Sequence, residues 1–83
     1  METLTIEFYR LDQNDAEGNT IFEHKEVKVD IVPSNGRFVL NSYKGDVKQI
    51  CKKLGGTVSA RVYHDGNLLP GDYVLHEETI DSW

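Results

Sequence analysis

Hydrophobic residues recur along this chain in two periods, and the longer one marks a single segment. Between Ser42 and Gly56, Tyr43, Val47, Ile50, Cys51 and Leu54 fall at i, i+4, i+7, i+8 and i+11, one apolar stripe on a 3.6-residue helix. Lys44, Lys48 and Lys52 form a second stripe on the far side. Ser42 is placed to cap the N-terminus, Asp46 sits in the first turn where the helix dipole favours an anion, and lysines crowd the last turn where it favours cations. Gly55 supplies a left-handed C-cap. Together these signals predict a helix over about residues 43–55, with Gly45 in its first turn costing about 1 kcal/mol relative to Ala.

The shorter period predicts strands. Residues 3–11 alternate Leu4, Ile6 and Phe8 against Thr5, Glu7 and Tyr9, a first strand with one face on the core. Residues 12–19 contain no large apolar side chain and end on turn formers, which reads as a loop. Over residues 20–32 the phase slips. Ile21 agrees with Val27, Val29 and Ile31, but Glu23 and Lys25 interrupt that face and Phe22 points the other way, so a bulge or break near residues 23–26 is expected. Pro33-Ser34-Asn35-Gly36 predicts a turn, and residues 37–41, with Phe38 and Leu40, a returning strand. After the helix, residues 57–64 alternate Val58, Ala60 and Val62 against Ser59, Arg61 and Tyr63, then meet the hairpin pair Asp65-Gly66. Leu69-Pro70-Gly71-Asp72 fits a type II turn before a last short strand over residues 73–76. The tail, residues 77–83, has no clear period, although Ile80 and Trp83 are placed to fold back onto the core.

The expected fold is therefore α+β: a mostly antiparallel sheet of four to six strands, in the order β-β-β-α-β-β(-β), with one helix packed on one face. Residues 1–83 make a single domain without an internal repeat or linker. In the run from Asp46-Val47-Lys48 through Arg61-Val62 and Gly66-Asn67-Leu68 to Leu75, under half the chain, the arrangement resembles ubiquitin-like β-grasp domains. That resemblance implies an interaction domain. The tail, Asp81-Ser82-Trp83, lacks the terminal Gly-Gly by which such modifiers are conjugated, which argues against carrier chemistry.

Size narrows the function classes. A chain of 83 residues buries only about 60 to 65% of its unfolded surface and holds one core, leaving little stability for a large preorganised active site, so an enzyme is not expected. Cys51 is the single cysteine, which excludes an internal disulfide, and it lies on the apolar stripe as an expected inert thiol. The apolar runs are too short to span a membrane, and the opening residues lack a basic and apolar leader. Cytoplasm is the expected compartment. His24, His64 and His76 lack the i, i+4 spacing of a helical zinc site, and the glycines match no phosphate loop, so neither metal nor cofactor is expected.

Charge is laid out in blocks. Residues 1–36 sum to −5, residues 37–64 to +5 and residues 65–83 to −5, for a net −5. That total argues against duplex nucleic acid as a partner, because such affinity comes from phosphate neutralisation by Lys and Arg. The plainest account of the lysine stripe is a solvated helix face. The alternative is anion or nucleic-acid binding through Lys44, Lys48, Lys52 and Lys53, the first three spanning about 12 Å of helix against a Debye length near 8 Å. The acids Asp12, Asp15 and Glu17 in the loop and Glu77, Glu78 and Asp81 in the tail serve solubility on the plainest account. On the sharper account they aim an electronegative surface at a basic protein partner, with opposite potentials speeding association. Tyr9, Phe22, Tyr63 and Tyr73 are candidate aromatic anchors for such an interface. The functional expectation is a protein-binding inhibitor or adaptor that occludes a basic surface. Its composition is similar to that of phage-encoded inhibitors of host nucleic-acid-processing or defence enzymes that act as DNA mimics.

Overall fold

The alternation of Leu4, Ile6 and Phe8 places β1 (Glu2–Asn14) at the middle of the sheet, where one of its faces is fully covered. The computed structural model describes residues 1–14, 16–80 and 82, and all of their side chains except those of residues 11–14 and 21. β2 (Thr20–Val29) pairs antiparallel with one edge of β1, and β3 (Val58–His64) pairs antiparallel with the other. The free edge of β3 is shared by two short strands, β4 (Asn67–Leu68) against Tyr63 and His64, and β5 (Tyr73–Leu75) against Val58 to Ala60. The result is an open, five-stranded antiparallel sheet in the order β2-β1-β3-β4, an α+β fold as the alternation predicts.

Two helices and a final helical turn cover one face of it. α1 (Gly36–Ser42) contributes Val39 and Leu40, α2 (Lys44–Leu54) contributes Val47, Cys51 and Leu54, and α3 (Glu77–Ile80) contributes Ile80. They close over Leu4, Ile6, Phe8, Val27, Val58, Ala60, Val62 and Leu75. Ile80 folds back as its apolarity suggested, whereas Trp83 lies outside the described residues. The shortest dimension of the molecule is 17 Å, room for one sheet and one helical layer of about 10 Å. The other sheet face is bare.

Three local expectations are corrected. Residues 37–41 are helical, not a strand: Gly36, Val39 and Leu40 are buried at i, i+3 and i+4, while Phe38 is 58% exposed. Leu40 belongs instead to a helical stripe that continues through Tyr43 to Val47, and Phe38 lies off it. Asn35 is the cap of this helix, its Oδ1 accepting the Arg37 N–H at 3.0 Å. Gly36 is required for close approach, since a Cβ there would lie 2.9 Å from Val62 Cγ2.

Second, Ser42 does not cap α2. Its hydroxyl donates back to the Phe38 carbonyl at 2.9 Å, and Tyr43, with φ −117° and ψ 34°, breaks the path between the helices. Tyr43 Oη then donates to the Lys28 carbonyl at 2.8 Å, tying the break to β2. Third, β2 carries no bulge at residues 23–26. Its register with β1 is unbroken from Glu2↔Val29 to Tyr9↔Phe22 and shifts only beyond that pair. Glu23 and Lys25 do face the helical layer, and α2 meets them with charge: Lys53 Nζ reaches Glu23 at 2.5 Å and Lys25 Nζ stands 3.8 Å from Asp46. Strand β2 ends at Val29, and Ile31, expected to continue its core face, is exposed.

Candidate interaction surfaces

The acidic residues do not form one face. Asp15, Asp81 and the side chain of Asp12 lie outside the described residues, and the backbone of residues 12–14, expected in a loop, belongs to β1. Glu17 is exposed in the β1–β2 connection and Glu78 is exposed on α3. Both elements leave the sheet at the same end, because Arg10 pairs with Val58 and Val58 with Leu75, immediately before α3. Glu77 is half-buried on α3. It lines an open groove of about 420 Å³ with Gly45, Lys48, Gln49 and Lys52 of α2. Burial, with a smaller contribution from the Glu77 charge, pushes the Cys51 thiol up to about 11.

The lysine stripe is therefore tempered from within the chain. Lys53 is paired with Glu23, and Glu77 lines the same groove as Lys48 and Lys52. Lys44, at the start of α2, also interacts within the fold. The histidines are dispersed: His24 contacts Glu7 at 3.5 Å, His64 lies 3.6 Å from Glu2 and 3.4 Å from Asp65, and the His76 carbonyl accepts from Thr79. Among the described residues no three His, Cys, Asp or Glu side chains converge as metal ligands.

The bare sheet face has an order of its own. Because opposed residues on antiparallel strands share a face, the register lays its side chains out in rows. Phe22, Tyr9, Ser59 and Val74 form one row across four strands, with Phe22 48% and Val74 59% exposed and the small Ser59 buried between Tyr9 and Val74. Tyr9 and Phe22 meet with ring centroids 5.8 Å apart, tilted by 47°. His24, Glu7 and Arg61 form the next row. His24 is in contact with Glu7, while Arg61 pairs with Asp72 at 3.5 Å and lays its guanidinium over Tyr9 at 5.3 Å. Ser59 Oγ donates to the same Asp72 at 3.2 Å. A third row places Tyr63 beside the half-exposed Leu68.

No protein family, curated protein or solved structure matches this chain. Of the four aromatic anchors expected, Tyr9, Phe22 and Tyr63 share the bare face. Tyr73 does not: opposite Ala60, it packs against the core beside Gly36. Val74, Leu68, His24 and Arg61 are surface features that sequence reasoning passed over. The signal was present in the phase of β1 and β3, where Thr5, Glu7, Tyr9, Ser59, Arg61 and Tyr63 alternate with the apolar face, but strand order was needed to gather them.

Proposed function

We propose that this chain is a protein-binding module that engages a basic surface of its partner. The observation that carries the reading is the pairing of Lys53 with Glu23, with Glu77 lining the same open groove as Lys48 and Lys52, against a net charge of −5. Lys53, already paired, offers less to phosphate, and the net negative charge of the chain opposes phosphate further. Asp12, Asp15, Glu17 and Glu78 contribute to the negative charge of the sequence, and opposite potentials would accelerate encounter with a basic partner. Occlusion of a basic groove, as by an inhibitor or adaptor, requires no catalytic group. The module would then act by position alone.

The test compares the full chain with a variant carrying Asp12→Asn, Asp15→Asn and Glu17→Gln, both immobilised and exposed to soluble extract of the source cells at low and high ionic strength. A basic protein held at low salt by the native chain and lost from the variant supports the reading. Oligonucleotide titration is the counter-test. Chemical-shift changes confined to residues 44–53, with single- or double-stranded probes, would replace this reading with anion binding by Lys44, Lys48, Lys52 and Lys53.

A further inference from the structure

We infer that the free edge of β2 pairs antiparallel with the same edge of a second copy of this chain, about a two-fold axis at His24, to make one continuous sheet.

β2 is the outer strand of the sheet, and its register with β1 runs without a break from Phe22 to Val29. Alternate residues of such a strand turn their N–H and C=O groups away from the sheet, where a second extended strand satisfies them. At one end of the edge Tyr43 Oη already donates to the Lys28 carbonyl at 2.8 Å. Residues 22–26 are left, and among the described residues no strand lies beyond them. Pairing over so short a stretch makes a small seam, so the dimer is weak and forms with rising concentration.

Charge selects the occupant. Inward-pointing charges ordinarily guard an edge, because a docking strand would cover them unmatched. Glu23 and Lys25 are such charges, partly exposed on the helical side of β2 and met from α2 by Lys53 and Asp46. A two-fold axis perpendicular to the sheet opposes residues of like face and keeps the helices of both copies on one side. With the axis at His24, Glu23 of each copy lies opposite Lys25 of the other, and Phe22 lies opposite Glu26. Glu23 then stands between Lys53 of its own chain and Lys25 of the copy, while Lys25 stands between Asp46 and the copy's Glu23. Other registers lose this match. An axis at Glu23, Lys25 or Glu26 sets that charge against itself, and an axis at Val27 carries Glu23 past the end of the copy's strand at Val29. The same two charges that turn away an unrelated strand therefore admit this chain's own edge.

The experiment is sedimentation of the full chain from micromolar to millimolar concentration, for the native sequence, for Glu23→Lys, for Lys25→Glu and for an equimolar mixture of the two variants. Amide spectra verify the fold of each. The expected result is a concentration-dependent dimer of the native chain. Self-association weakens by about tenfold in either variant alone, because each sets like charges across the seam twice. It recovers in the mixture, where the two substitutions restore opposite charges at both crossings, a recovery that misfolded variants would not show. A chain that stays monomeric throughout the range overturns the inference. So does a dimer that neither variant weakens, which would place the second copy elsewhere on the surface. Weakening in both variants without recovery on mixing overturns the register about His24. All of these outcomes leave the proposed function standing, since its test reads a different set of acids.

Discussion

At the scale of single residues, the fold depends on positions whose role is set by what they touch. Gly36 stands at the start of α1 with Val62 and Tyr73 pressed against its backbone, so Gly36→Ala brings a methyl group to within 2.9 Å of the stiff Val62 side chain. The helix propensity gained is outweighed by the packing lost, and the substitution is expected to lower stability by about 1 to 2 kcal/mol, measured by urea unfolding. A neutral or stabilising effect would place α1 further from β3. Cys51 shows the opposite case, a reactive group made inert by burial on α2. Its thiol is raised from 9.0 to about 11 in the fold. A free thiol in the unfolded chain ionises first, so the protonated native state loses stability as pH rises from about 9 to 11 and is unaffected below that window. Alkylation at neutral pH should accordingly proceed only as fast as the chain opens, and rapid labelling of the native protein would contradict this burial.

Elements were unevenly legible in the sequence. The strands β1 and β3 and the helix α2 were legible because each is long enough to repeat its own period and carries its own end signals, such as Gly55 after α2 and Asp65-Gly66 after β3. α1 was not, because seven residues offer one turn and a half, and Phe38 with Leu40 satisfies a strand alternation just as Val39 with Leu40 satisfies a helix. The two readings differ in which side chain is buried. Leu40→Ala should destabilise by about 2 to 5 kcal/mol while Phe38→Ser stays near neutral, in the same denaturant titration; comparable losses at both sites would restore the strand. β2 misled for another reason. Its polar residues on the helical side, Glu23 and Lys25, are met by Lys53 and Asp46 of an element 20 to 30 residues away, a pairing that no local pattern announces. Both pairs are partly exposed, so a double-mutant cycle on Glu23 and Lys53 is expected to give a coupling of about 0.2 to 1 kcal/mol that declines with added salt.

For the molecule as a whole, the decisive feature is the inequality of the two sheet faces. One is sealed by α1, α2 and α3, and the other presents Phe22, Tyr9, Val74, Tyr63 and Leu68 around a polar row of His24, Glu7 and Arg61. The candidate site was half legible. Block charges and candidate aromatics are properties of the sequence, whereas their grouping onto one face depends on β1 lying between β2 and β3. The same geometry sets Glu77 in an open groove with Lys48 and Lys52 of α2. The most direct measurement is the paramagnetic broadening of side-chain NMR signals by a neutral gadolinium chelate added to the dilute protein. The account predicts strong broadening at Phe22, Leu68 and Val74 and almost none at Val47, Leu40 and Ile80. Protection of Phe22 and Val74, or broadening of Val47 and Ile80 to match them, would contradict it.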